Sequence, residues 1–262
     1  TCALPISSTS VETFWFVFHD GRLVLPLEGG AAFLAAQPPL RAAADALAHD
    51  LGELDGRPCV AYATDEAPDA NRCVALTLRE AYLRLERRFY DKAGLGAQLL
   101  HWDATTRYCG RCGGRAERRG PILKCCTVCG AEIYTHIAPA VIVLVRRGDE
   151  ALLVRSHNFK GKHHGLVAGF LEPGETLEEC VAREVREETA LEIGNLRYFG
   201  SQPWPYPCGV MIGFTADYVA GEIRIQEEEL ISAAWFHRDA LPELPMKLSL
   251  ARRLLDAWLE RG

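Results

Sequence analysis

No apolar run in the chain approaches the ~20 residues that a membrane-spanning helix requires; the longest, Ala138–Val145, stops far short. Residues 1–10 also lack the basic start and unbroken apolar core of a secretory signal, so a cytoplasmic location is expected. Positive charge is scarce too. Lys and Arg number 29 against 35 Asp and Glu, a formal charge of -6, which argues against wholesale binding of nucleic acid through phosphate neutralisation. With 48% hydrophobic and 24% charged residues, neither a disordered nor a fibrous chain is indicated. At 262 residues the chain is long enough for two compact domains, because a single core seldom grows beyond ~250 residues.

One stretch departs from the acidic average. Arg107, Arg111, Arg115, Arg118, Arg119 and Lys124 face the single acid Glu117, six cations against one anion, so this segment is able to meet a polyanion. A solvated face of a small module is the plainer alternative. The same island holds two C-x-x-C pairs, Cys109 with Cys112 and Cys126 with Cys129, thirteen residues apart, and Gly110, Gly113, Gly114 and Gly130 allow the backbone to turn around an ion. Four thiolates at this spacing suit a closed tetrahedral zinc site of structural rather than catalytic type. The competing reading is a redox dithiol. Adjacent Cys125 leaves a register question, in which the two-residue gap favours Cys126. Cys2, Cys59, Cys73, Cys180 and Cys208 are scattered and read as small buried hydrophobes.

Phe14, Phe16 and Phe18 alternate up to Asp20-Gly21, and Leu23 and Leu25 follow, the pattern of a β-hairpin. Residues 31–51 and 76–90 carry apolar side chains at helical spacing, with a strand at 59–63 between them. This predicts a small α/β domain to about Leu100. Beyond the cysteine island, 140–145 and 151–154 read as strands, the proline-rich 201–208 as a loop, and 210–219 as a strand. Leu248, Ala251, Leu255, Trp258 and Leu259 form a helical stripe suited to core packing.

The most informative segment runs from Gly169 to Leu191. Thr176 with Glu179 has the form of a capping box, predicting a helix from about Leu177 to Thr189. On it Glu184, Glu187 and Glu188 stand at i, i+3 and i+4 and share a face. Like charges at this spacing repel, and anions near a helix C-terminus oppose its dipole. A hard divalent cation such as Mg²⁺ or Mn²⁺ would compensate, since it takes carboxylate oxygens and bridges them to phosphates. A solvated acidic face is the alternative for the bare E-x-x-E-E run.

The flanking residues shift the balance. Gly169, Glu175 and the run Arg183-Glu184-Val185-Arg186-Glu187-Glu188-Thr189-Ala190-Leu191 resemble the Nudix box, G-x5-E-x7-R-E-U-x-E-E-x-G-U with U aliphatic, matching at every specified position except Ala190, where the family usually has glycine. That departure bears on the backbone just after the helix. Ser201-Gln202-Pro203-Trp204-Pro205-Tyr206-Pro207 is similar to the S-Q-P-W-P-F-P signature of the NADH pyrophosphatase subfamily, with Tyr206 for phenylalanine and Gly209 for a usual serine. The four-cysteine ribbon and a preceding domain are arranged as in that subfamily.

The resemblance implies an α/β fold: a Nudix α/β/α sandwich on a mixed sheet at 136–262, preceded by a small α/β domain at 1–104 and a zinc ribbon at 105–135. It implies that Glu184, Glu187, Glu188 and Glu229 hold catalytic Mg²⁺ or Mn²⁺, with Glu227 and Glu228 beside the fourth position. Arg183 is implied to orient the box glutamates, against the alternative of a surface ion pair with Glu187. Phe170, Tyr134, Gln202, Trp204, Tyr206 and Ala251 are the implied substrate contacts; for Phe170 and Tyr134 the alternative is core packing. Lys160, Lys162, His163 and His164 form either a phosphate-facing loop or a solvated hairpin tip. The implied reaction is metal-dependent cleavage of NADH or NAD into AMP and nicotinamide mononucleotide. Glu188 is favoured as base, although spacing does not separate base from ligand. Removal of NAD caps from RNA and a non-catalytic nucleotide-sensing module are the rival functions. A homodimer is expected.

Overall fold

The computed structural model describes residues 11–29, 31–44, 46–159 and 161–260; Cys2, residues 1–10 and Lys160 lie outside them. It separates into two compact units, one comprising Thr1–His136 with Pro205–Cys208, the other Ile137–Trp204 with Gly209–Gly262.

In the first unit the aromatic hairpin forms as β1 (Thr13–His19) and β2 (Arg22–Pro26), with Asp20 and Gly21 at positive φ in the turn. Then follow β3 (Phe33–Ala35), β4 (His49–Leu54), β5 (Arg57–Ala63), β6 (Cys73–Leu76), α1 (Leu78–Ala81) and α2 (Arg87–Thr105). The strand order is β4-β5-β1-β2-β6 with β3 also on β1. The helix expected over 31–51 is absent among the described residues. Pro38 and Pro39 interrupt it, since proline removes a donor and restricts the residue before it. The chain instead runs along β5: Tyr62 Oη donates to the Leu40 carbonyl at 2.6 Å, Thr64 Oγ1 to the Arg41 carbonyl at 2.6 Å, and the Ala43 amide to the Ala63 carbonyl at 3.0 Å. α2 reaches well past Tyr90 despite Gly94 and Gly96; at Gly96 an added Cβ would come within 2.8 Å of Ala61 Cβ, so glycine is what lets helix and sheet approach. A three-stranded ribbon, β7 (Ala116–Arg118), β8 (Leu123–Cys126) and β9 (Glu132–Tyr134), completes the unit.

The second unit is built from β10 (Ala138–Arg147), β11 (Glu150–Ser156), β12 (Val167–Phe170), α3 (Leu177–Thr189), β13 (Glu192–Trp204), β14 (Gly209–Ala220), β15 (Leu230–His237) and α4 (Leu250–Leu259). Its order is β13-β14-β10-β11-β15, with β12 also on β10; β10 and β14 are parallel and the other pairs antiparallel. Side-chain alternation along β10 makes the sandwich. Val141, Val143 and Val145 pack with Cys180, Val181 and Val185 of α3, while Ile142 and Leu144 pack with Leu250, Leu254 and Leu255 of α4. The expected loop over 201–208 is shorter than the prolines suggested. Ser201–Trp204 continues β13, pairing as far as Trp204 with Gly209. Pro203 is tolerated because β13 is an edge strand, where one side needs no ladder donor.

Candidate active site

α3 begins where the capping box requires. Thr176 Oγ1 accepts from the Glu179 amide at 3.2 Å and Glu179 Oε2 accepts from the Thr176 amide at 2.8 Å. It ends on Ala190 at φ 58°, ψ 21°, the left-handed conformation that glycine takes without penalty. The Cβ is accommodated with strain rather than by a change of path. Two helix-end carbonyls left without intrahelical donors are taken up by the segment leading to β15, as the Gln226 amide donates to Glu188 O at 3.1 Å and the Arg224 amide to Thr189 O at 3.0 Å. This fastens the turn carrying Glu229 to the C-terminal end of α3.

The three helix glutamates differ in environment. Glu184 and Glu188 are buried, whereas the Glu187 side chain is 54% exposed. Burial pushes the Glu188 carboxyl up to about 8, and the nearby charges of Glu184 and Glu229 add to the effect. Burial raises Glu184 as well, partly opposed by Arg183. Glu188 makes no ion pair with any described residue. Gly169 makes room for Glu184: a Cβ there would fall 1.9 Å from the Glu184 carboxyl carbon. β12 therefore supplies a bare backbone against which the carboxylate lies.

Arg183 is more than half of a surface pair. Its guanidinium donates to Glu175 at 2.6 and 3.1 Å, to Glu184 Oε1 at 2.9 Å, to Glu187 Oε2 at 3.0 Å and to the Phe170 carbonyl at 3.0 Å. The fork fixes two of the three helix carboxylates and ties them to the loop before the helix. Glu175 is held at about 2 by the Arg183 bonds and by the Glu172 amide. The role of Glu175 as the anchor for Arg183 was not evident from the spacing, where it was only a matched letter.

The other implied contacts divide. Phe170 and Tyr134 are 65% and 56% exposed, which excludes core packing for both. Gln202 and Ala251 are buried; Gln202 Nε2 donates to the Leu248 carbonyl at 2.9 Å just ahead of α4, and Ala251 packs in the core beneath that helix. Trp204 is half-buried at the end of β13. Tyr206 clusters with the first unit, its hydroxyl 2.5 Å from that of Tyr90 and its ring 4.4 Å beneath the Arg79 guanidinium. Of the basic loop, His163 stacks on Phe159 with ring centres 4.8 Å apart.

In the ribbon the Sγ atoms of Cys109, Cys112, Cys126 and Cys129 all lie within 4.8 Å of one another. A tetrahedral ion with ~2.3 Å metal–sulfur bonds places its sulfurs ~3.8 Å apart, close to the 3.8 Å between Cys109 and Cys129 and the 3.4 Å between Cys112 and Cys126. The backbone amides of Cys129 and Val128 point at Cys126 Sγ and bring its thiol down to about 6. Cys125 is on the opposite face of β8 and approaches the Gly130 carbonyl instead, so the register question resolves to Cys126. The four cysteines could hold a metal ion. No carboxylate set among the described residues is drawn together so tightly.

Residues 136–259 match the NUDIX domain, and residues 12–102 match the NADH pyrophosphatase-like rudimentary NUDIX domain. The chain is 42% identical over 215 residues to the NAD-capped RNA hydrolase NudC of Pseudomonas aeruginosa, spanning 81% of this chain and 77% of that protein. It belongs to the NADH pyrophosphatase branch of the Nudix hydrolases. A second NAD-capped RNA hydrolase NudC, from Pseudomonas fluorescens, is 39% identical over 248 residues, 94% of this chain and 87% of the relative. The crystal structure of a NUDIX hydrolase from Nitrosomonas europaea shares the fold with a TM-score of 0.51 at 22% identity, over 59% of this chain and 92% of that one. Membership makes the chain a pyrophosphohydrolase. It also accounts for the acidic helix face, whose repulsion would be a liability in a purely structural element.

Proposed function

We propose that the chain hydrolyses the pyrophosphate of NADH or NAD, releasing AMP and the reduced or oxidised nicotinamide mononucleotide, and that it removes the same NAD group from RNA 5′ ends. The observation that carries this reading is the pair of buried carboxylates on one face of α3, Glu184 and Glu188, the second with no counter-charge from the described chain. Such a pair suits a cation. Glu184, Glu187 and Glu188, with Glu229, would hold Mg²⁺ or Mn²⁺, which when bound neutralises phosphate oxygens and acidifies water. Arg183 positions Glu184 and Glu187. Glu188 takes the proton from the attacking water as the new phosphorus–oxygen bond forms and the bridging phosphorus–oxygen bond breaks. The exposed Phe170 ring, next to Gly169, is offered to the base, and Tyr134 and Trp204 are kept as substrate contacts on the family resemblance alone. No covalent intermediate is involved.

In the same reading the ribbon cysteines hold structural zinc, and the functional division is 1–104, 105–135 and 136–262. A cytoplasmic setting fits, because thiolate ligands require reducing conditions. A homodimer fits as well, since one chain leaves the Tyr134 ring exposed. The RNA reading is favoured by relatives at 39–42% identity that bear that activity in their names.

Incubation with NADH, NAD, ADP-ribose and NAD-capped RNA, each with Mg²⁺ or Mn²⁺, tests the proposal. AMP with reduced mononucleotide from NADH, and a 5′-monophosphate from capped RNA, are expected. No product from any nicotinamide substrate, or turnover of ADP-ribose alone, would remove the reading and leave a nucleotide sensor or a different pyrophosphatase.

A further inference from the structure

The basic island does not act as one patch. Of its six cations, two are committed inside the first unit. Lys124 is 3% exposed, with Nζ 2.9 Å from Asp103 Oδ1, 3.1 Å from the Asp103 carbonyl and 3.3 Å from that of Thr106. Arg118 donates to the Ala48 carbonyl at 2.9 Å and meets buried His49 Nδ1 at 2.9 Å, while His49 Nε2 lies 2.6 Å from Asp103 Oδ2. This Arg118–His49–Asp103–Lys124 chain joins the ribbon to β4 and α2, and its charges are spent there. Arg119 pairs with Glu117 at 3.6 Å.

Three cations remain, Arg107, Arg111 and Arg115, and the first and last of them share a surface. Arg107 and Arg115 are exposed and make no ion pair with any described residue. Both line a cleft of about 740 Å³ lying wholly within the first unit. Tyr108, 69% exposed, lines the same cleft. Tyr108 and Arg115 are opposed across an isolated antiparallel bridge, so their side chains leave the same face. The Ala116 amide, next along the chain, bonds the Arg107 carbonyl at 3.0 Å. Among the described acids of the lining, Asp103 and Glu117 are already paired, which leaves Asp65.

An exposed aromatic face flanked by free guanidinium groups is the chemistry that receives an unstacked base and its neighbouring phosphates. We propose that this cleft binds the single-stranded RNA chain of a capped substrate, with Tyr108 stacking a base and Arg107 and Arg115 holding phosphates. The inference rests on the reading that NAD-capped RNA is a substrate. It assigns to the ribbon face a role separate from the pyrophosphate chemistry. A duplex is disfavoured because its bases offer no free face to Tyr108.

The test is fluorescence anisotropy of the full chain with an uncapped single-stranded RNA oligonucleotide across a salt series, with NADH turnover followed separately. Arg107→Ala with Arg115→Ala should weaken RNA binding at least 10-fold and reduce the steepness of log affinity against log salt by about 1.4, the share of two phosphate contacts on a single strand. Tyr108→Ala should cost about 5-fold or more, and Arg115→Lys should retain most of the affinity. NADH turnover should persist in all, which also shows that they fold. Unchanged affinity and salt slope in both alanine variants, or no RNA binding by the wild-type chain at low salt, would overturn the proposal. Displacement of the oligonucleotide by equimolar AMP would likewise overturn it, in favour of a mononucleotide site. Because the oligonucleotide is uncapped, failure of the pyrophosphatase reading would register in the NADH arm and leave the binding result standing.

Discussion

The two units contain the same sheet twice. In the first, β4-β5-β1-β2-β6 with β3 on β1 is followed by α2; in the second, β13-β14-β10-β11-β15 with β12 on β10 is followed by α4. The central strand pairs in parallel with β5 in one and with β14 in the other, and with its hairpin partner in antiparallel fashion in both. The difference lies in one connection. Between β12 and β13 the chain builds α3 with its glutamates, whereas the described residues between β3 and β4 form no helix, and that connection holds Asp45 as its single acid. β3 reads Phe33-Leu34-Ala35 where β12 carries Gly169. A sheet of this topology is thus a scaffold, and in the proposed function the chemistry enters with one capped helix and the bare backbone beside it.

The largest expected effect comes from making the second unit resemble the first. Glu188→Gln should keep the fold yet lower NADH turnover by ~100-fold or more, the scale of removing a general base, while Glu178→Gln, exposed on another face of α3, should leave it intact. Gly169→Ala attacks the same carboxylates from the strand side: its Cβ has no room beside Glu184, so turnover should fall at least 10-fold. Steady-state kinetics on purified variants checks both, and equal losses in the Glu178 control would mean that helix stability explains the effect.

A smaller effect sharpens the comparison at the helix end. Ala190 holds a left-handed conformation at φ 58°, where a Cβ costs about 1 kcal/mol or more. Ala190→Gly should raise the melting temperature by roughly 2–4 °C, with turnover unaltered. A lower melting temperature would show that the alanine methyl contributes packing that outweighs the strain.

How much of this was legible depends on where the signal resides. α3 was readable end to end because Thr176 and Glu179 mark its start and the box marks its face. The 31–51 segment misled because alanine and leucine fit a helical spacing almost anywhere, and the two prolines outweigh it. β12 was invisible: Val167–Phe170 is four residues with a central glycine, and its value lies in what Gly169 lacks. The proline-rich signature looks like all loop in the sequence because edge position, which makes Pro203 acceptable in a strand, is a property of the sheet. The spacing pointed to Cys126, and the facing of β8 decided between it and Cys125. The division of the basic island into committed and free cations rests on His49 and Asp103, which are distant in sequence.

The proposed reason that Glu184 and Glu188 are buried is to hold a cation. Glu188 titrates near 8 in the folded, cation-free chain against 4.5 for an ordinary glutamate. The folded chain therefore binds the extra proton between these values, and the stability contributed by this group is present at acid pH and lost as pH rises toward 8. Melting curves of the full chain, gel-filtered free of Mg²⁺ and Mn²⁺, should be recorded at pH 5 and pH 8 before and after adding either cation. A rise in melting temperature on cation addition is expected, larger at pH 8 than at pH 5 and much reduced in Glu188→Gln. No cation-induced rise at pH 8, or the same rise in Glu188→Gln as in the wild type, would contradict it.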